Sequence, residues 1–239
     1  MMKKTLMAAA LLAGSQAAVA EISGNVTIAT DYRFRGISQT DRDPTIQGGF
    51  DYAHDSGLYA GIWASNLAFA GSIEMDYYGG YAGNINDNIG FDVGVIYYDY
   101  PSDNQPSGAN DLEFWEIYGG LSGDVGPVSL SGKLSYSPDY FGETGDGVYT
   151  DLGASYGLPA DFTLAAHFGY QYIEDGSVRD EGFFSSDEDS YTDWSIGVSR
   201  SWMGVDFDLS YIDTNLGSSD CFGDKICDDT VVFSVSKSL

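Results

Sequence analysis

Carboxylates dominate the side chains of this sequence that can do chemistry. Asp31, Asp51, Glu74, Asp76, Asp92, Asp151, Asp193, Asp206 and Asp208 each fall on the polar side of a segment in which apolar and polar residues alternate. On extended backbone successive side chains point to opposite faces, so residues placed this way gather on one surface. Arg33, Arg35 and Lys133 fall on that same surface, and Glu116 joins it less regularly. Carboxylates lining a water-filled passage concentrate cations and repel anions. Tyr78, Tyr98 and Tyr149 share the carboxylate side, and their ring faces add attraction for small cationic or zwitterionic solutes, methylammonium compounds among them. The competing reading is that these charges keep an interior wet, or pair with Arg33 and Arg35 as bridges that close it.

Catalysis is a poor fit. Some outer-membrane barrels are lipases with a His and a Ser at the lipid boundary, but His54 stands in a turn and His167 on the polar face, neither beside a convincing nucleophile. The expectation is therefore a protein without enzymatic activity, cofactor or metal. The acidic stretch Asp187-Glu188-Asp189, with Asp175, Asp180 and Glu181 nearby, reads as a solvated surface loop in preference to a calcium site. Cys221 and Cys227 have no further Cys or His close by and predict a loop disulfide.

The elements that must position these residues are short extended segments. Residues 1–20 carry Lys3 and Lys4, an apolar stretch and an Ala18-Val19-Ala20 cleavage pattern, which predicts an export signal and a mature chain 21–239. Strands are expected near 22–35, 45–54, 57–66, 72–83, 89–100, 111–122, 127–137, 147–157, 161–174, 190–200, 204–214 and 229–239. Tight turns follow the even-numbered strands and mostly longer polar loops follow the odd-numbered ones. That division is required of a barrel with both termini inside, its turns facing the periplasm and its loops facing outward. No later stretch is apolar for the ~20 residues a membrane-spanning helix needs, so any crossing is made by strands. The expected fold is all-β, an antiparallel transmembrane β-barrel of about 12 strands.

The alternation is plainest where Phe162, Leu164, Phe168 and Tyr170 oppose Thr163, His167 and Gln171, and where Val205, Phe207, Leu209 and Tyr211 oppose Asp206, Asp208 and Ser210. The segment after the signal extends the pattern through Val26, Ile28, Tyr32 and Phe34. Tyr32, Tyr59, Tyr97, Tyr136, Tyr156, Tyr172 and Tyr211 stand near strand ends, where interfacial girdles are built. Val231, Phe233, Val235 and Leu239 alternate at the C-terminus like the closing strand that barrel-assembly machinery recognises, with Lys237 at an outward position from which it can snorkel. A formal net charge of −26, made more negative by loss of Lys3 and Lys4, excludes nucleic acid as a partner. Outer-membrane lipid, lipopolysaccharide and small solutes are the partners such a barrel implies.

The block Thr30-Asp31-Tyr32-Arg33-Phe34-Arg35-Gly36-Ile37-Ser38-Gln39-Thr40, followed by Pro44, Gln47-Gly48-Gly49, Asp51, His54-Asp55-Ser56-Gly57, Tyr59, Gly61, Trp63 and Ser65-Asn66, resembles the TorF family of proteobacterial envelope porins. The match is dense over 30–66 and looser elsewhere. The resemblance implies an outer-membrane barrel and a diffusion channel, and transfers no site residue. The expected function is passive passage of small solutes through an acidic lumen that favours cations or zwitterions. The alternatives are a non-conducting structural or adhesive barrel and a soluble periplasmic β-protein.

Overall fold

The computed structural model describes residues 21–101, 110–176 and 183–239. The export-signal reading of residues 1–20 lies outside the described residues, as do Asp180 and Glu181 of the acidic loop. The strands, in chain order, are β1 (Glu21–Ala29), β2 (Arg33–Phe34), β3 (Ile37–Ser38), β4 (Thr45–Ala53), β5 (Leu58–Asn66), β6 (Ile73–Asn86), β7 (Ile89–Asp99) and β8 (Phe114–Val125), then β9 (Val128–Ser137), β10 (Gly147–Gly157), β11 (Phe162–Ile173), β12 (Ser190–Trp202), β13 (Val205–Thr214) and β14 (Thr230–Ser238). β1 and β4 to β14 form one closed antiparallel barrel of twelve strands, in which each pairs with its chain neighbour and β14 returns to β1. β2 and β3 form a separate two-stranded hairpin.

Eleven of the expected strands agree with the structure to within three residues at either end. The first does not: it ends at Ala29, not at residue 35. The cause is local polar chemistry. The Asp31 carboxylate accepts hydrogen bonds from Ser38 Oγ (2.6 Å), Thr40 Oγ1 (2.9 Å) and Arg33 Nε (2.6 Å), which draws the chain back on itself. The hairpin then turns at Arg35 and Gly36, both with positive φ (48° and 83°). Here glycine is required, since a Cβ on residue 36 would lie 2.5 Å from Thr214 Cγ2 and 2.8 Å from Asp193 Cβ. Tyr32 and Phe34 consequently pack inside the barrel and not on its outer face. Tyr59 is also internal, hydrogen-bonded to Asp92 (2.5 Å), so neither Tyr32 nor Tyr59 belongs to an outer girdle.

Outward positions form an exposed apolar wall. Leu152, Phe168, Ile196 and Leu209, from four adjoining strands, are each about half exposed. A soluble barrel would not leave so continuous an apolar band to water. Inward, the wall alternates large and small residues in places: Tyr78 lies over Gly61 and Tyr118 over Gly94, each on a neighbouring strand. A Cβ at Gly94 would sit 2.5 Å from the Tyr118 hydroxyl. Gly94→Val is therefore expected to push Tyr118 away from Tyr59 and Asp92 and to cost about 1–3 kcal/mol of stability, read as a lowered midpoint in heat-modifiability gels.

The two ends of the barrel differ. The turn end is lined by half-buried polar side chains, Asp51, Asp92, Asp206 and Asp208 among them, and joined by short connections. The loop end holds an apolar core in which Tyr98, Phe114, Ile173 and Tyr191 from the strands meet Tyr140, Phe184 and Leu216 from the loops. Cys221 and Cys227 form the expected disulfide and lie in this core.

Candidate functional site

The segment 30–44, including the β2–β3 hairpin, folds into the barrel and lies across it. Arg35 is its tip. The guanidinium donates from Nη2 to both oxygens of Glu116 (2.6 and 2.7 Å) and from Nη1 to Gln171 Oε1 (2.5 Å), and stacks over the rings of Tyr149 (4.2 Å) and Phe34 (4.7 Å). Both partners of this ion pair are nearly enclosed, with side-chain exposures of 7% and 2%. Burial disfavours the Arg35 charge, yet Glu116 outweighs it and holds the pKa well above the ordinary arginine value. A charge pair this deep persists only because its hydrogen bonds are met on both sides.

Arg33 anchors the other flank. It donates to Asp31 and, through Nη1, to the carbonyls of Gly36 (3.0 Å), Ile226 (2.8 Å) and Asp228 (3.1 Å), which ties the hairpin to the disulfide loop. Tyr32 donates to Glu74 (2.7 Å) and meets Trp63 edge to face at 5.3 Å. Burial, and then the Glu74 charge, hold the Tyr32 hydroxyl well above the usual phenol value, so it remains a donor. Asp31, Arg33 and Arg35 thus do not line a strand of the barrel wall as expected; they close the lumen from the inward segment that carries the β2–β3 hairpin.

The remaining sequence candidates sit on the inward face of the strands. Glu74, Asp76 and Asp193 are buried near the loop end, where Oδ1 of Asp76 has no hydrogen-bond partner among the described residues. Nearer the turn end, Asp51 accepts from the Tyr78 hydroxyl, Asp92 from Tyr59, Asp206 from Ser201, and Asp208 from Ser210 at 2.6 Å. These four are half-buried. Asp151 and Asp193 hold His167 between them, Oδ2 of the first 3.3 Å from Nδ1 and Oδ1 of the second 2.8 Å from Nε2. Among the described residues no group of three or more His, Cys, Asp or Glu is disposed to hold a metal ion.

A cavity of about 410 Å³ lies between the inward loop and the wall of β6 to β13. Arg35, Glu116 and Phe34 form its roof, and Lys133, Asp151, His167 and Tyr118 its side. Its volume is that of a small-molecule site. The arrangement can hold and orient a small polar solute; it has no nucleophile with a free base, since both nitrogens of His167 face carboxylates.

Sequence reasoning missed Gln171, fully buried and bonded to Arg35, and the aromatic pairs Tyr140–Phe141 and Phe183–Phe184 that pack over the hairpin. The signal for the aromatics was present: bulky apolar doublets inside stretches that otherwise read as polar loops.

Residues 13–239 match the model of a family described as a bacterial protein of unknown function, Gcw_chp. No curated protein matches the sequence. Among solved structures, the KdgM porin superposes with a TM-score of 0.56 at 8% identity, covering 90% of this chain and 97% of its own. The NanC porin superposes with a TM-score of 0.56 at 10% identity, covering 90% and 98%. A second KdgM structure, in complex with disordered oligogalacturonate, gives 0.53 at 9% identity, covering 92% and 98%. At such identities the likeness is one of fold: a closed antiparallel barrel of the outer-membrane porin type.

Proposed function

Since the chain belongs to the Gcw_chp family and rolls its strands as outer-membrane porins do, we propose that it is a narrow outer-membrane channel for passive diffusion of small solutes, constricted by the inward loop 30–44. The observation that carries this reading is that the inward loop, packed against side chains of the strands and of the outer loops, closes one end of the barrel above a polar cavity of about 410 Å³. Barrels of ~8 strands are filled by their own side chains and those of ~16 leave an open channel, so twelve strands leave room that a folded-in loop can occupy or vacate. The resemblance of residues 30–66 to TorF-type porins supports the same reading, and the loop lies within that stretch.

The half-buried Asp51, Asp92, Asp206 and Asp208 give the turn end a negative lining, which favours cations and zwitterions over anions. The apolar band would contact outer-membrane lipid, the loop end would meet lipopolysaccharide, and β14 would present Val231, Phe233 and Val235 to the barrel-assembly machinery. Lys237 on that strand donates to the Gly204 carbonyl (2.8 Å) at the turn end.

A non-conducting barrel is favoured by one observation, the apolar core with Ile173 and Phe184 at 0% and 1% exposure across the loop end. Planar-bilayer recording separates the two. Discrete ohmic steps with a reversal potential on the cation side are expected; a silent membrane after verified insertion would establish the closed barrel, and anion selectivity would overturn the acidic-lumen reading.

A further inference from the structure

The charges that line the cavity are matched with one exception. Arg35 is paired with Glu116, Arg33 with Asp31, and His167 lies between Asp151 and Asp193. Lys133 is the exception. It is exposed within the lumen, and among the described residues its ammonium makes no hydrogen bond and has no carboxylate within 4.0 Å. The Tyr118 ring lies 5.7 Å from its Nζ.

What makes this informative is its cross-strand partner. Lys133 on β9 stands directly opposite Asp151 on β10, where side chains of opposite charge, with Cβ atoms ~5 Å apart, ordinarily close into a pair. Here they do not, because the Asp151 carboxylate turns the other way and presents Oδ2 to His167. Asp151 Oδ1 is left without a hydrogen bond among the described residues. An ammonium and a carboxylate oxygen therefore face one cavity, close enough to feel each other's charge but not closed into an ion pair, next to an aromatic face.

We propose that this split pair is a subsite for a small zwitterion, an amino-acid-like molecule whose carboxylate binds Lys133 while its ammonium binds Asp151 Oδ1 and lies against Tyr118. A simple anion would satisfy Lys133 and leave Asp151 unanswered; a simple cation would do the reverse. A molecule bearing both charges one carbon apart answers both and adds no net charge to the lumen. The hydroxyls of Ser135 and Ser195 on the cavity wall supply donors for its remaining oxygen. The proposal rests on the channel reading for the route by which solute arrives.

The test uses the full barrel in detergent, with glycine as probe and acetate and methylammonium as its two halves, followed by saturation-transfer NMR and calorimetry. Glycine is expected to bind saturably, at least tenfold more tightly than either half. Lys133→Gln, which breaks no hydrogen bond of the fold, is expected to weaken glycine at least tenfold without weakening methylammonium; Asp151→Asn is expected to weaken glycine without weakening acetate. Equal weak binding of all three probes, or a Lys133→Gln variant that binds glycine as the parent does, would overturn the proposal. Conductance of the same preparation in KCl keeps the two readings apart. A silent barrel that binds glycine upholds the subsite and sinks the channel, whereas a conducting barrel blind to glycine sinks the subsite alone.

Discussion

Arg35→Ala is expected to raise single-channel conductance several-fold and to lower stability by about 3–5 kcal/mol. The energetic part follows from what the guanidinium leaves behind. Glu116 is 2% exposed, and breaking a buried pair by deleting one member strands a charge with no cation and no water. The conductance part follows from geometry: Arg35 is the tip of the hairpin and its ties to Glu116, Gln171, Tyr149 and Phe34 hold that tip against the far wall. Arg33 and Tyr32 still tether the base, so the loop lifts instead of detaching. Pairing Arg35→Ala with Glu116→Leu separates the two effects. The double variant should regain most of the lost stability while remaining leaky. Unchanged conductance in a destabilised Arg35→Ala protein would show that the hairpin is not the barrier to flow.

Ile196→Arg addresses the other surface. Ile196 is 47% exposed, at the middle of β12 on its outward face. A cationic side chain on the lipid side of a barrel near mid-membrane costs about 2–4 kcal/mol, which equilibrium unfolding in phospholipid vesicles would detect. Its neighbour Ser195 faces the cavity, so Ser195→Arg should cost far less in the same assay. If both substitutions were equally mild, the apolar band would be facing water and the membrane assignment would fail.

How legible these features were depended on whether local pattern and tertiary demand agreed. Along β11, β12 and β13 they agreed: one face had to be apolar for the exterior and the other polar for the lumen, so Val205 to Tyr211 shows the period of two in full and Phe162 to Tyr172 breaks it only at Ala165. In the segment 30–44 they did not. Tyr32-Arg33-Phe34-Arg35 alternates as faithfully as any strand, yet the alternation serves a hairpin packed inside the barrel, with aromatics against Trp63 and Tyr98 and arginines against carboxylates and carbonyls. The corrective cue was Gly36 beside Asp31, Ser38 and Thr40, a turn glycine among short polar side chains that bond to one another. Which lumenal carboxylates face water and which are buried was not legible at all. That depends on the level reached by the inward loop, a long-range fact that strand periodicity does not encode.

The joint between β1 and β14 has five residue pairs, whereas β1 meets β4 through nine. The clasp that completes the cylinder is thus its shortest zip, and it brings together the first and last strands of the barrel, the encounter with the highest entropic toll of any between its strands. It follows that this clasp forms late in assembly and is the first place to part under load. Until it shuts, the unfinished ribbon carries two bare margins of amides that hydrocarbon cannot accommodate. Insertion and circularisation are therefore a single coordinated event for this protein, and deleting even a few residues from β1 or β14 should be felt as a failure to assemble before it is felt as a loss of transport.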